Sequence, residues 1–405
     1  MGLLNRTGYY NLNTFDHARQ LEYFDNTMVW QMRKVIVEGE DNDYDYYYLE
    51  FKGANAFDMF PIESFMNPFY IEKIKNREIY LMVVNYHEGF MDIVEGIYNS
   101  LIMRDGIPAE QIILGTGNYD IPAEVKKIAE LYDKPEIKVE IFMELEYAVR
   151  EHRFIIEGSN ETVQPEKPLQ LNTLQHKEYH KKFLCMNRRW RLHRPTMVAL
   201  LECLDLLKYG HVSLGDADDH HDWTKIYNWM VQEHRDNPVL HNLLTLNKDR
   251  IFNIPELYLD TIDLVSNRAA LENNYQNYLY NETYFSLITE TFYYTDRKFN
   301  GGRYITEKTF KAIACEHPFI LVTCPNSLQI LKDLGYKTFH PFIDESYDQE
   351  YDDNKRYIKI LDEVRRLCNL SPEQLSEFLF ECKEITNHNL AVLRSKDNFV
   401  YRANW

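Results

Sequence analysis

The sequence predicts an α/β protein built on two parallel sheets. Three observations carry this. Short apolar runs alternate with stretches of helical periodicity. The alternation occurs twice, on either side of a polar stretch at 157–175 that contains Pro165 and Pro168. The 405 residues also exceed what one ordinary core accommodates, so two domains are expected. A hydrophobic content of 45% is that of a chain folded throughout.

Each element follows from its local pattern. An aromatic, acidic, poorly periodic region runs to about Met66. Residues 78–85 form an apolar run that reads as a buried strand. Residues 91–103 carry Ile93, Val94, Ile97 and Leu101 at helical spacing. Residues 111–117 read as a strand ending in a glycine turn, 123–132 as a short helix and 137–142 as a third strand. Beyond the polar stretch, 182–187 reads as a strand and 195–207 as a helix with Pro195 at a tolerated early position. Residues 211–215 read as the next strand, followed by an irregular and helical insert to about Leu271. Strand 284–289, helix 306–315, strand 319–323, helix 327–334 and a helical stretch at 371–393 complete the second half. There is no repeating period, which argues against a solenoid.

Formal net charge is -18, from 63 acidic and 45 basic side chains. That disfavours a generic duplex-binding surface, although a local basic face can coexist with acidic patches. Six carboxylates lie between Glu38 and Glu50 and six more between Asp344 and Asp353; both runs read as solvated loops. The 30 Tyr, 22 Phe and 5 Trp suit cores, interfaces and carbohydrate stacking alike. None of the six cysteines forms a Cys-x-x-Cys pair and most lie in apolar segments, which fits a reducing cytosol better than a disulfide framework. The N-terminus carries no signal-peptide pattern and no stretch approaches 18 apolar residues, so a cytoplasmic protein without a membrane span is expected (in the host cytoplasm if the chain is viral).

Two segments carry chemistry in the second half. Between Lys177 and Arg194 seven basic residues face one acid, Glu178. Arg188, Arg189, Arg191 and Arg194 fall just beyond a strand end, where a guanidinium fork suits phosphate oxygens. A surface turn paired with acidic loops, or a nucleic-acid patch, fits the same cluster. The second segment is Tyr304-Ile305-Thr306-Glu307-Lys308, at the start of an amphipathic helix with Thr306 as a possible N-cap. Upstream, strand 284–289 ends in Glu290. A strand end and a helix start, both polar, make a crevice. A carboxylate there can take ribose hydroxyls, and a cation with helix N–H groups can hold a diphosphate. The bland alternative is a capped surface helix with a Glu307–Lys311 pair.

The Thr-Glu strand end, the Tyr-Ile-Thr-Glu-Lys start, the apolar helix and the Pro-Phe-Ile strand resemble the nucleotide-sugar half of GT-B glycosyltransferases. The likeness is to fucosyltransferase-like and exostosin-like branches and to virus- or phage-type glycosyltransferases, and spans roughly residues 182–345. It implies a GT-B fold, two Rossmann-like domains facing a central cleft. The domains would be 1–165 on the acceptor side and 176–365 on the nucleotide-sugar side. A helical segment at 366–405 is expected to pack back on the first domain. It implies that Glu307 binds ribose, that Lys308 binds the diphosphate, and that Arg188, Arg189 or Arg191 adds a phosphate ligand. Thr289-Glu290-Thr291 stands where those fucosyltransferases show an acidic-Asn pair, which leaves the sugar open. No cofactor beyond the nucleoside-diphosphate sugar donor is implied, and no metal.

In the first half, Asn85-Tyr86-His87-Glu88-Gly89-Phe90-Met91-Asp92 follows the 78–85 strand. Inverting sugar transfer needs a base for the acceptor hydroxyl proton. Glu88 is the first candidate and Asp92 the second, with His87 as base or acceptor-orienting group; Asp120, in the Gly115–Asp120 turn, is a weaker one. A charged helix cap explains the same residues. The acid- and histidine-rich stretch at 216–222 meets no standard ligand spacing, and Gly115-Thr116-Gly117 is not a full dinucleotide fingerprint. The expected activity is transfer of a sugar from a nucleoside-diphosphate sugar to the hydroxyl of a glycan, a small saccharide or hydroxymethylated DNA. A phage enzyme acting on 5-hydroxymethylcytosine and a non-catalytic binding or structural protein with a degenerate transferase fold are the alternatives.

Overall fold

The computed structural model describes residues 36–37, 46–50, 61–64, 66–85, 89–143, 145–146, 149, 181–187, 191–215, 223–257, 259, 277–295, 301–395 and 400–401. The chain divides into two compact units. One comprises Met1–Tyr147, Asp296–Tyr304 and Lys396–Trp405; the other comprises Ala148–Thr295 and Ile305–Ser395.

In the first unit the chain runs through β1 (Ile36–Val37), β2 (Tyr46–Glu50), α1 (Pro68–Lys75), β3 (Tyr80–Asn85) and α2 (Ile93–Gly96). Helix α2 widens directly into a π-helical stretch, Ile97–Arg104. Then come β4 (Ile112–Thr116), α3 (Ile121–Tyr132) and β5 (Lys138–Phe142). Strands β2, β3, β4 and β5 are parallel and lie side by side in chain order. β1 and the C-terminal strand Val400–Tyr401 cap the two edges antiparallel. Leu81, Val83, Ile112 and Leu114 point to one face and pack on Ile71, Ile74, Ile93, Ile97, Val125 and Ile128 of the helices. The alternate residues Met82, Val84 and Ile113 are buried as well. Burial on both faces is why these strands read as unbroken apolar runs. The buried Tyr98 hydroxyl donates to Pro135 O at 2.9 Å and accepts from Ile137 N at 3.1 Å, which fixes the turn into β5.

The second unit holds β6 (Phe183–Cys185), α4 (His193–Cys203), β7 (Gly210–Val212), α5 (Trp223–Glu233), α6 (Pro238–Leu246), α7 (Lys248–Phe252), α8 (Asn277–Asn281), β8 (Phe285–Thr289), α9 (Glu307–Ala314), β9 (Phe319–Val322), α10 (Ser327–Asp333), α11 (Asp353–Cys368) and α12 (Pro372–Ser395). Its four strands are all parallel, in the order β7-β6-β8-β9. The chain starts at β6, steps out to β7, then returns past β6 to β8. The order therefore reverses between β6 and β8. In open parallel sheets this switch point is where helices on either side diverge and leave a crevice beyond the strand ends. The protein is thus an α/β protein with two separated parallel-sheet regions and flanking helices, consistent with a generic two-domain Rossmann-like architecture.

The second acidic run is not a solvated loop. Asp348 is buried and accepts from Leu328 N at 3.1 Å, at the start of α10. Glu345 accepts from Phe339 N at 2.6 Å and Thr338 Oγ1 at 2.8 Å. Asp352 caps α11 by accepting from Asn354 N and Lys355 N. Asp353 pairs with the buried Arg356 and accepts from Thr295 N. These carboxylates satisfy backbone N–H groups that a helix start or turn leaves unpaired. Of the first acidic run, Glu50 closes β2, a parallel strand rather than a loop. Among the described residues no helix is long and apolar enough to cross a membrane.

Candidate functional site

The carboxyl ends of β6 and β8 bring together three polar segments of the second unit. The first follows β6. Asn187 is fully buried; its Nδ2 donates to Ser213 O at 2.9 Å, its backbone N–H donates to Ser213 Oγ at 3.1 Å, and its Oδ1 accepts from Thr289 Oγ1. Arg191 is half-buried just before α4, and His193 and Arg194 begin that helix almost fully buried. His193 Nε2 donates to Glu290 O at 2.9 Å. Arg194 Nη2 donates to Thr289 O and Glu290 O, both at 3.2 Å. Two side chains from the start of α4 thus clasp the backbone at the end of β8.

The second segment is the end of β8. Glu290 is fully buried. Its Oε1 accepts from Thr306 N at 3.1 Å and Thr309 Oγ1 at 2.5 Å, and its Oε2 from Thr306 Oγ1 at 2.5 Å. Both oxygens are spent on tying β8 to the first turn of α9. A carboxylate placed before a helix N-terminus also meets the positive end of its dipole.

The third segment is that helix start. Thr306 is the N-cap, in extended conformation, and its Oγ1 accepts from Lys308 N. Lys308 Nζ lies 3.1 Å from Thr306 Oγ1 and 3.1 Å from Glu307 Oε1. The Glu307 and Lys308 side chains keep 23% and 21% of their surface exposed, so this pair, unlike Glu290, can reach a ligand. Apolar Phe310, Ala312, Ile313 and Ala314 bury the rest of α9.

The electrostatics follow from this packing. Burial works to raise the Glu307 carboxyl, but the ammonium groups of Lys308 and Lys311 overcome it and hold it at about 2. Glu307 is therefore an anion across the neutral range. Burial pushes His193 well below the usual imidazole value, and the charges of Arg194, Arg191 and Lys308 add to that against its bond to Glu290 O. His193 is a neutral donor. Burial and Arg191 lower Arg194 to about 10, so it stays charged. The site is a fixed carboxylate and several cations around a helix tip, an arrangement that can bind an anion next to a polyol.

Of the residues singled out in the sequence, Arg191, Arg194, Glu290, Glu307 and Lys308 lie in these three segments. Arg188, Arg189, His87, Glu88 and the 216–222 stretch fall outside the described residues. Asp92 is half-buried at the position before α2. Asp120 is engaged by Arg303 through two side-chain bonds and the backbone N–H. Sequence reasoning passed over His193 and Asn187. The His193-Arg194-Pro195 run at a helix start carried a signal, since Pro in the first turn marks a helix N-terminus. Asn187 carried none. Among the described residues no cluster of three or more His, Cys, Asp or Glu side chains is placed to hold a metal. The chain matches no known protein-family model and no curated protein.

Proposed function

We propose that the second unit binds a nucleoside-diphosphate sugar at the switch point between β6 and β8, and that the protein is a GT-B-type glycosyltransferase. The observation that supports this is the partly exposed Glu307–Lys308 pair on the capped start of α9, near Arg191 and Arg194 at the start of α4. In this reading Lys308 and Arg191 take the diphosphate, with Arg188 and Arg189 as further ligands. Glu307, ionised at neutral pH, accepts from the ribose hydroxyls. Glu290 works one layer back and fixes the helix tip rather than the ligand.

Transfer proceeds with inversion, and Glu88 removes the acceptor proton, with Asp92 as second candidate and His87 orienting the acceptor. Neither metal nor further cofactor is required in this reading. Calorimetry against a panel of nucleoside-diphosphate sugars tests donor binding. Lys308→Ala should weaken the bound donor by about 1.5 to 3 kcal/mol, the worth of a charge-assisted hydrogen bond. Unchanged affinity in a folded variant removes Lys308 from the site. Glu88→Gln should slow transfer by roughly 10² to 10⁴-fold with donor affinity unaltered. Turnover with saccharides or with duplex DNA carrying 5-hydroxymethylcytosine then assigns the acceptor. Donor binding without transfer or donor hydrolysis marks a binding protein on a transferase fold.

A further inference from the structure

A hydroxyl has one proton to donate and two lone pairs to accept with. That of Thr306, buried at the start of α9, uses all three. It donates to Glu290 Oε2 at 2.5 Å, and because a carboxylate only accepts, this bond takes the one hydroxyl proton. Both lone pairs are then turned toward Lys308. One accepts from the Lys308 backbone N–H at 3.4 Å and the other from Lys308 Nζ at 3.1 Å. Glu290 cannot turn to release the hydroxyl. Its carboxylate is fully buried, and its other oxygen holds Thr306 N at 3.1 Å and Thr309 Oγ1 at 2.5 Å. Every one of these residues belongs to the second unit.

Lys308 follows from this. Side chains on a helix lean toward its N-terminus, which folds the Lys308 stem back over the cap. Its ammonium carries three N–H donors. One meets Thr306 Oγ1 and one meets Glu307 Oε1, each at 3.1 Å. The third has no acceptor among the described residues, and 21% of the side-chain surface is open. With two corners of the tetrahedral ammonium held, the direction of the third N–H is set. We propose that Thr306 is a positioning residue that aims the Lys308 ammonium, so that a single N–H is presented to one oxygen of an anionic ligand. A free lysine loses the rotamer freedom of its long stem when it binds; here that freedom is already lost on folding. One donor holds one oxygen, so a diphosphate needs a second cation, which is Arg191 in the reading above. That the ligand is a nucleoside diphosphate rests on the function proposed above; the aiming of the ammonium does not.

Ammonium proton exchange, followed by NMR on the whole protein labelled at lysine Nζ and free of nucleotide, tests it. In Thr306→Val the Lys308 ammonium should exchange about tenfold faster or more, the factor a charge-assisted hydrogen bond is worth. The Lys182 ammonium, bonded to Cys368 O and Leu370 O in the same unit, should keep its wild-type rate. Thr306→Ser keeps the hydroxyl and should restore slow exchange. Asn caps a helix as well as Thr does, but carries its donor and acceptor on different atoms. Thr306→Asn should therefore leave the Lys308 backbone amide protected and its ammonium fast. Slow exchange in Thr306→Val overturns the proposal, as does rescue by Asn, which would make Thr306 a helix cap and no more, or a failure of Ser to rescue. Calorimetry with UDP, GDP, ADP and CDP then reads the consequence. Thr306→Val should weaken whichever of them binds by about fivefold or more. Equal affinity in the two proteins also overturns the proposal. If none of the four binds the wild-type protein, the nucleotide-sugar reading falls, and the ammonium exchange still decides the role of Thr306.

Discussion

In the first sheet Asn85 closes β3 opposite Thr116; in the second Asn187 stands two residues past β6. Both are buried to 1% or less. Asn187 uses its whole amide to join the ends of β6, β7 and β8, whereas the Asn85 amide has no hydrogen-bond partner among the described residues. The winding of the two sheets explains the difference. In the first, strands follow chain order and the β3–β4 ladder runs to the last residue, Asn85↔Thr116. Backbone pairing holds the strand ends there. At the switch point of the second, β6 and β8 pair only at Phe183↔Phe285 and Leu184↔Ser286, although β8 continues to Thr289. Beyond that short ladder the strands are held by side chains: Asn187 on Thr289, and His193 and Arg194 on the carbonyls that follow. A sheet that opens a crevice replaces ladder bonds with side-chain bonds at its mouth.

The comparison breaks if Asn187 proves dispensable. Asn187→Ala should cost the second unit about 3 kcal/mol or more in denaturant unfolding, because Thr289 and Ser213 lose their partners in a dry site. Glu290→Gln comes next. It keeps one acceptor but loses the charge on which Thr306 and Thr309 converge, and should cost about 1 to 3 kcal/mol, with faster exchange confined to the start of α9.

A smaller effect concerns Asp348. Burial raises its carboxyl to about 6, against the bonds from Leu328 and Ser327 N–H groups. A carboxylate raised in the fold binds its proton more tightly there than in the unfolded chain. Its contribution is present below about pH 4 and is lost as pH rises through 6. Asp348→Asn should therefore flatten the stability profile between pH 4 and 6 relative to wild type, by about 1 to 2 kcal/mol. Equal slopes in the two proteins would show that the carboxyl titrates as if exposed. The smallest effect belongs to Asn85. Asn85→Leu removes an unbonded amide and should leave stability within about 1 kcal/mol of wild type, on either side. A loss as large as that of Asn187→Ala would erase the contrast.

The strands were legible because burial on both faces leaves mostly apolar residues, as in β3, β4, β8 and β9. Helix α11 was hidden. It begins within an acidic run, and its buried face, Tyr357, Ile360, Leu361, Val364 and Leu367, is separated by charges at every turn. The spacing was helical, but the local charge density read as a loop. At the candidate site, Glu307 and Lys308 were legible because a cap, a charge pair and an apolar face sit together in sequence. The tasks of Glu290 and Asp120 were not. A carboxylate at a strand end or turn looks like a ligand group until its partners are known, and the Arg303 that engages Asp120 lies 183 residues away. Non-local pairing leaves no periodicity to read.

The π-helical stretch after α2 bears on how this chain can vary in length. Asp105 N reaches back to Ser100 O, five residues rather than four, so the coil carries a surplus residue. Excising that residue between Tyr98 and Asp105 would tighten the coil to an ordinary α-helix and leave the chain beyond in nearly the same phase, whereas the same excision from a regular helix turns everything beyond by about 100°. Asp105, whose Oδ2 accepts from Ile62 N at 3.1 Å, would keep that partner. The wide turn is therefore a place where the chain can shorten without a change of phase. Descendants of this sequence can lose a residue there more readily than they can trade Ile97, Tyr98 or Leu101, which lie in the core.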